Sequence, residues 1–251
     1  MIKFKILTIF PDLFPQILGK SITGEALKNN LWQLEIINIR DYADDNRKTV
    51  DDTPFGGGAG MVFRPDVLYK ALSANLPLNL EKLDATKIPK IIYPSPRGKI
   101  FNQKMAQNLA QETEIVIICG RYEGIDQRII DIFNIEEISI GDYIISGGEI
   151  ASYVMIDAIL RNIKGVLGQE QSLHQESFGN AENNEFEFLL EYPHYTRPAN
   201  FMNHAVPEVL LSGHHANIEK WRRAQAEQIT QKNRPDLFEK YLHFNRQVKN
   251  S

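Results

Sequence analysis

Alternation opens the chain. Ile2, Phe4 and Ile6 are separated by Lys3 and Lys5, and this period of two predicts a strand over Lys3–Ile9. Pro11–Leu18 and Ile22–Asn30 predict short helices, the second capped by Ser21 or Thr23, and Leu34–Ile39 predicts another strand. Periodicity is then lost from Arg40 to Arg64. It returns as a helix over Pro65–Ala74, a nearly continuous apolar strand over Ile88–Tyr93 and a helix over Asn102–Gln111. A buried strand follows over Glu114–Cys119, with Ile115, Val116, Ile117 and Ile118 in a row, then a helix over Ile125–Phe133. A strand over Glu137–Ile140 and a helix over Glu149–Ile163 complete the series. Strand, loop and helix recur three times, which predicts an α/β fold with a mostly parallel sheet under packed helices.

After Ile163 the pattern dissolves. Gly165–Glu185 is rich in amides and acids with scattered apolar positions and reads as a flexible linker. Phe186–Leu190 starts a second unit. Tyr192-Pro193-His194-Tyr195-Thr196-Arg197-Pro198 makes a stiff aromatic corner, and Val206–Leu211 is apolar. A helix is expected over Asn217–Gln231, and another near Pro235. The expected division is therefore a domain over 1–164, a linker over 165–185 and a small helical domain over 186–251.

Composition is that of a soluble globular chain, with 43% apolar and 24% charged residues. No apolar run is long enough to span a membrane, and lysines interrupt the N-terminal strand where a signal peptide would be apolar, so a cytoplasmic location is expected. Cys119 is the single cysteine and cannot form an internal disulfide. The net charge of −4 argues against a polyanionic partner until its distribution is considered. From Arg197 onward there are nine Lys and Arg against five Asp and Glu, so a +4 segment follows a body of −8. That segment could grip nucleic acid or simply be a solvated helix face.

Candidate chemistry lies where strands end. Ser139–Glu149 places Gly141, Gly147 and Gly148 around Tyr143, Ile144 and Ile145, which suits an apolar-walled loop with open backbone groups for adenine, or equally a tight turn. Pro94–Gly98 and Gly120–Gly124 follow two other strands in the same way. Three such loops at strand carboxyl ends favour a shared pocket. None has the Gly-x-Gly-x-x-Gly spacing, and Gly56-Gly57-Gly58-Ala59-Gly60 lacks the Gly-Lys-Ser/Thr ending of a phosphate loop. No His, Asp or Glu spacing resembles a helical metal motif. By themselves Glu123 and Glu176 read as surface acids, Arg161 as a helix-end charge, and His194 as a packed corner residue.

Six ordered motifs between Phe10 and Trp221 carry a resemblance. They are Thr49-Val50-Asp51-Asp52-Thr53-Pro54-Phe55-Gly56-Gly57-Gly58, Cys119-Gly120-Arg121-Tyr122-Glu123-Gly124-Ile125-Asp126, Ser139-Ile140-Gly141-Asp142-Tyr143, Ser146-Gly147-Gly148-Glu149, Pro193-His194-Tyr195-Thr196-Arg197-Pro198 and Leu211-Ser212-Gly213-His214-His215-Ala216. Together they resemble the bacterial tRNA (guanine-N1)-methyltransferases. The resemblance implies a SPOUT-like fold with a deep C-terminal trefoil knot, a rare exception to the rule against knots. It implies a homodimer with the active site at the subunit interface, S-adenosylmethionine as donor, and guanosine 37 beside the tRNA anticodon as target. The donor would be held by Tyr93, Pro94, Ser95, Pro96 and Gly98 in the first loop, and by Gly120, Arg121, Tyr122 and Gly124 in the second. Ile140, Gly141, Asp142, Tyr143, Ile144, Ile145, Gly147 and Gly148 would complete the site. Glu176 matches the general base, Arg161 an arginine that orients the base and stabilises charge on guanine, and Glu123 an acid beside the target. Substrate contacts would come from Asp52, Gly58, Ser177, His194, Arg197, Arg222 and Arg223. Magnesium enters through the resemblance alone. Three positions depart from the family pattern: Glu176 replaces its Asp, Ala59 its Pro, and Phe55 its Tyr. A related knotted enzyme on another RNA, or a non-catalytic nucleotide-binding module, are the competing readings.

Overall fold

The structure, a computed structural model, describes residues 1–76, 89–167, 176–179 and 185–249. Ile88 and most of the expected linker lie outside the described residues. The chain divides into two compact units, Met1–Gly168 and Gln169–Ser251.

In the first unit β1 (Ile2–Thr8), α1 (Ser21–Lys28) and β2 (Trp32–Asn38) follow the expected order. The helix expected over Pro11–Leu18 is instead two 3-10 turns, Pro11–Leu13 and Gln16–Gly19. Pro15 explains the break, because it pushes Phe14 into extended backbone (φ −112°, ψ 147°). The aperiodic segment contains a minimal antiparallel pair, β3 (Asp51–Asp52) and β4 (Val62–Phe63), flanking the glycine loop. Then come α2 (Pro65–Asn75), β5 (Lys90–Ile100), α3 (Gln103–Leu109), β6 (Glu114–Ile118), α4 (Gln127–Phe133), β7 (Glu136–Ser139) and α5 (Gly148–Leu160).

The five-stranded sheet has the order β2-β1-β6-β5-β7, with every neighbouring pair parallel. Both faces are covered, which is why β6 reads as an unbroken apolar run. On β6, Val116 and Ile118 join one core cluster with Val67, Leu68 and Leu72 of α2 and Ile129 and Phe133 of α4. Ile115 and Ile117 face the other, with Met155, Ile156 and Ile159 of α5, Leu109 of α3 and Ala26 of α1. The alternation typical of a strand is thus present, with both sets apolar. Packing on both faces fixes the register, since a one-residue slip would exchange the two sets.

β5 runs well past the expected end at Tyr93. Its pairing with β7 reaches Pro94↔Ile138, breaks, and resumes at Lys99↔Ile138, so Ser95–Gly98 leave the ladder as a bulge and the strand then rejoins it. Pro94 and Pro96 have no N–H to lose, which suits them to this excursion.

The second unit is described separately. A 3-10 turn, Glu185–Glu187, is followed by the hairpin β8 (Asn200–Phe201) and β9 (His204–Ala205), then α6 (Glu208–Leu211), α7 (His215–Asn233) and α8 (Pro235–Lys249). Leu189, Ala226 and Tyr241 form its small core with Phe186, Phe188 and Phe238. Thr230 is buried in α7 and accepts the N–H of Leu190 at 2.8 Å, tying the 185–191 segment to that helix.

Candidate functional site

The three strand-end loops converge. Tyr93–Pro96 from β5, Gly120–Gly124 after β6, and the segments Ile138–Gly141 and Tyr143–Gly148 from β7 to α5 line one cavity of about 250 Å³, with Ala151 at its edge. Gly98 and Asp142 are not among its lining residues. Gly98 serves the bulge instead, and the Asp142 side chain is exposed.

Several glycines exist because chain segments pass too close for a side chain. A Cβ on Gly120 would stand 2.5 Å from the Tyr93 ring, and one on Gly148 would stand 2.8 Å from the Cα of Cys119. Gly148 donates its N–H to the carbonyl of Gly120 at 2.8 Å, which binds the second and third loops edge to edge. Tyr93 is buried in the cavity wall, and burial, followed by the Glu137 carboxylate, raises the pKa of its phenol above the ordinary value.

A charged network that sequence reasoning missed lies beneath these loops. Glu149 is 1% exposed; one carboxylate oxygen accepts the Thr8 hydroxyl at 2.8 Å and the other accepts Nε of Arg121 at 2.9 Å. Arg121 also donates from Nη1 to the carbonyl of Ser146 at 3.2 Å, and its guanidinium lies 4.7 Å from the centre of the Phe10 ring. A Thr at a strand end and an acid in the first turn of a helix were the available signals, and each is locally unremarked.

The glycine loop reaches the cavity rim. Glu123 donates its N–H to the Met61 carbonyl and Phe63 donates to Gly124, both at 2.9 Å, so the strand after the loop pairs with the second cavity loop. Gly60 lies against the Glu123 side chain, which lines the cavity. Tyr122 takes a left-handed φ of 59° and tilts onto the Phe63 ring. Phe55 is 99% exposed, and Gly58, also exposed, has φ 118°. Asp52 accepts the N–H of Thr53 at 2.7 Å.

Arg161 caps the end of α5 and is not a lining residue. In the second unit Glu176 is half-buried, and Ser177 accepts the Glu191 N–H at 2.9 Å. His194 meets the Glu191 carboxylate at 2.5 Å and packs beside Tyr192. Arg222 lies 4.8 Å from the Tyr192 ring centre, while Arg197 and Arg223 are exposed. Among the described residues, no group of three or more His, Cys, Asp or Glu gathers as metal ligands would.

A parallel α/β sheet that opens glycine-rich loops from adjoining strand ends onto one cavity has the architecture of a ligand-binding α/β protein. Comparison with known proteins narrows this class. Residues 2–240 match the model of the tRNA (Guanine-1)-methyltransferase TrmD family, and the chain belongs to that family. It is 48% identical to the tRNA (guanine-N(1)-)-methyltransferase of Rhodospirillum rubrum over 94% of this chain and 92% of the relative. It is 48% identical to that of Pelagibacter ubique over 94% and 97%, and 50% identical to that of Ruminiclostridium cellulolyticum over 95% and 97%.

Proposed function

We propose that this chain is an S-adenosylmethionine-dependent enzyme that methylates nitrogen 1 of guanosine 37 in tRNA, working in the cytoplasm. The observation that carries this reading is the cavity common to the three loops, in a chain of this family. Its walls fit the donor. Ile140 and Ile145 offer apolar surface to a purine. The close approaches of Gly98 in β5 to Ile138 in β7, and of Gly148 at the start of α5 to Cys119 after β6, support a trefoil tied there.

When bound, S-adenosylmethionine supplies a methyl group already activated on sulfonium, so no covalent enzyme intermediate is needed. Nitrogen 1 of guanine carries a proton and is a poor nucleophile until that proton is lost. In this reading Glu176 takes it, Arg161 stabilises the negative charge that passes to the guanine carbonyl oxygen, and Glu123 steadies the base at the cavity rim. The position of Glu123 between Gly60 and the cavity supports its part; Glu176-Ser177-Phe178, which stands where the family pattern has Asp-Ser-Phe, supports that of Glu176. Holding the two reactants in line supplies much of the remaining acceleration.

The second unit, 186–251 in this scheme, would hold the tRNA, with 165–185 as the tether that brings Glu176 to the base. The excess of basic residues after Arg197 supports it. A homodimer with the site at the interface is supported by apolar side chains left exposed beside the cavity, Ile144 at 81%, Ile150 at 54% and Val154 at 48%. Ile150 and Val154 lie one turn apart on α5 and would be covered by the same helix face of a second copy. No helix among the described residues is long and apolar enough to cross a membrane. Magnesium belongs to the reading through the resemblance alone.

Incubation with labelled donor and tRNA transcripts differing only at position 37 tests the reading. Methyl should appear only on transcripts with guanine there, and the product should be 1-methylguanosine. Label on transcripts lacking that guanine, or donor binding with no transfer to any transcript, would overturn it.

A further inference from the structure

One guanidinium holds two walls of the cavity. Arg121 belongs to the loop after β6, yet its Nη1 bonds to the carbonyl of Ser146 in the loop before α5, and its stem fills the space a side chain at Gly147 would need. A Cβ at Gly147 would stand 2.2 Å from Nε. The direction of that fork is set from below by Glu149, whose carboxylate is in turn held by the Thr8 hydroxyl at the end of β1. The Thr8 oxygen also accepts the N–H of Phe10, whose ring lies against the guanidinium.

We propose that Glu149 is a positioning residue for the donor site, acting through Arg121 to fix the spacing of the second and third loops before the donor arrives. The inference rests on the donor-pocket reading above. Glycine-rich loops carry conformational freedom that a ligand must otherwise remove on binding, so a fixed spacing raises affinity. A buried carboxylate suits the task because both its oxygens are partnered and its loss takes the charged partner from Nε of Arg121. Lysine at 121 could meet Glu149 as a point charge but lacks the planar fork that also reaches Ser146.

Donor affinity by calorimetry and amide exchange of the ligand-free protein test this together. Glu149→Gln keeps the shape of the side chain and removes its charge. It should weaken S-adenosylmethionine binding roughly ten-fold, the scale of a lost charge-assisted hydrogen bond. Arg121→Gln should do likewise, and the double variant should bind no more weakly than Arg121→Gln alone, because both changes break one linkage. Without donor, exchange in Glu149→Gln should quicken at 120–124 and 146–148 while β6 stays protected. Wild-type donor affinity in Glu149→Gln, additive losses in the double variant, or exchange accelerated equally across β1 and β6 would each overturn this inference alone. Wild-type protein that binds no S-adenosylmethionine would overturn the donor-pocket reading with it.

Discussion

Gly98 passes so close to Ile138 that a Cβ on it would stand 2.3 Å from the Ile138 backbone nitrogen. The contact closes the bulge of β5, because Ile138 is the residue that both Pro94 and Lys99 pair with. Backbone on both sides cannot move aside without breaking the ladder. Gly98→Ala should therefore destabilise by about 1–3 kcal/mol, as overpacking does. Gly57→Ala provides the contrast: nothing lies within 4 Å, and its cost comes only from a φ of 79°, about 1 kcal/mol. Urea unfolding of the two variants should rank them in that order, and equal midpoints would contradict the packing argument.

The same bulge marks the limit of what was legible in the chain. Periodicity and Gly/Pro punctuation located the three strand-end loops, because both are local properties. They ended β5 at Tyr93, since proline usually stops a strand, and only the partner β7 reveals that the strand resumes at Lys99. Pro15 likewise split a helix that apolar spacing alone favoured. Glu149 was read as a helix opening because its partners, Thr8 and Arg121, are 141 and 28 positions away in sequence. Local residue choice carried the loops; long-range pairing carried the network beneath them.

Cys119 follows β6 just before the second cavity loop and is fully buried, with Sγ 3.3 Å from the Ser152 hydroxyl. Burial pushes its thiol well above the usual range, against a smaller opposing effect of the Ser152 hydrogen bond. The native protein should react with a thiol-specific disulfide reagent only as fast as it opens, and denaturant should release one thiol per chain. Rapid labelling of the folded protein would mean that this thiol is open to solvent.

Asp126 caps α4 by accepting the Arg128 N–H at 2.9 Å, and the Arg128 side chain bonds to both its oxygens. The side-chain bond from Arg128 is the main cause that holds its carboxyl below the ordinary value, with burial opposing. A depressed folded pKa stabilises above the unfolded value and loses that contribution as pH falls through the folded one. Asp126→Ala should cost about 1 kcal/mol near neutrality. The gap from wild type should narrow below about pH 4, where the unfolded carboxylate begins to protonate. A gap that stays constant to acid pH would rule out the charged cap as its source.

The basic segment from Arg197 onward predicts a salt signature. Arg223 is exposed on α7, whereas Arg222 also packs on Tyr192, so Arg223→Gln changes charge with less change in packing. If Arg223 meets a phosphate, the variant should bind tRNA more weakly at low salt, and the slope of log affinity against log salt should fall by about 0.7–0.9. Filter binding over a salt series measures both. An unchanged slope would place the RNA elsewhere.

In the proposed mechanism Glu176, one methylene longer than the family's Asp, takes the guanine proton. Proton removal by a positioned carboxylate contributes about 10²–10⁴ in rate, so Glu176→Ala should lower kcat by that order while donor affinity is kept. Glu176→Asp restores a carboxylate of shorter reach and should keep much of the turnover. The pH profile separates the base from a merely structural acid. With the carboxylate gone, hydroxide must take the proton, and the rate of Glu176→Ala should climb with pH where wild type has levelled off. Arg161→Ala should also lower kcat with donor affinity kept, since stabilising charge on the guanine oxygen matters in the transition state. Near-wild-type turnover in Glu176→Ala, flat with pH, would mean that another group strips the proton and that the linker acid only helps to shape the tether.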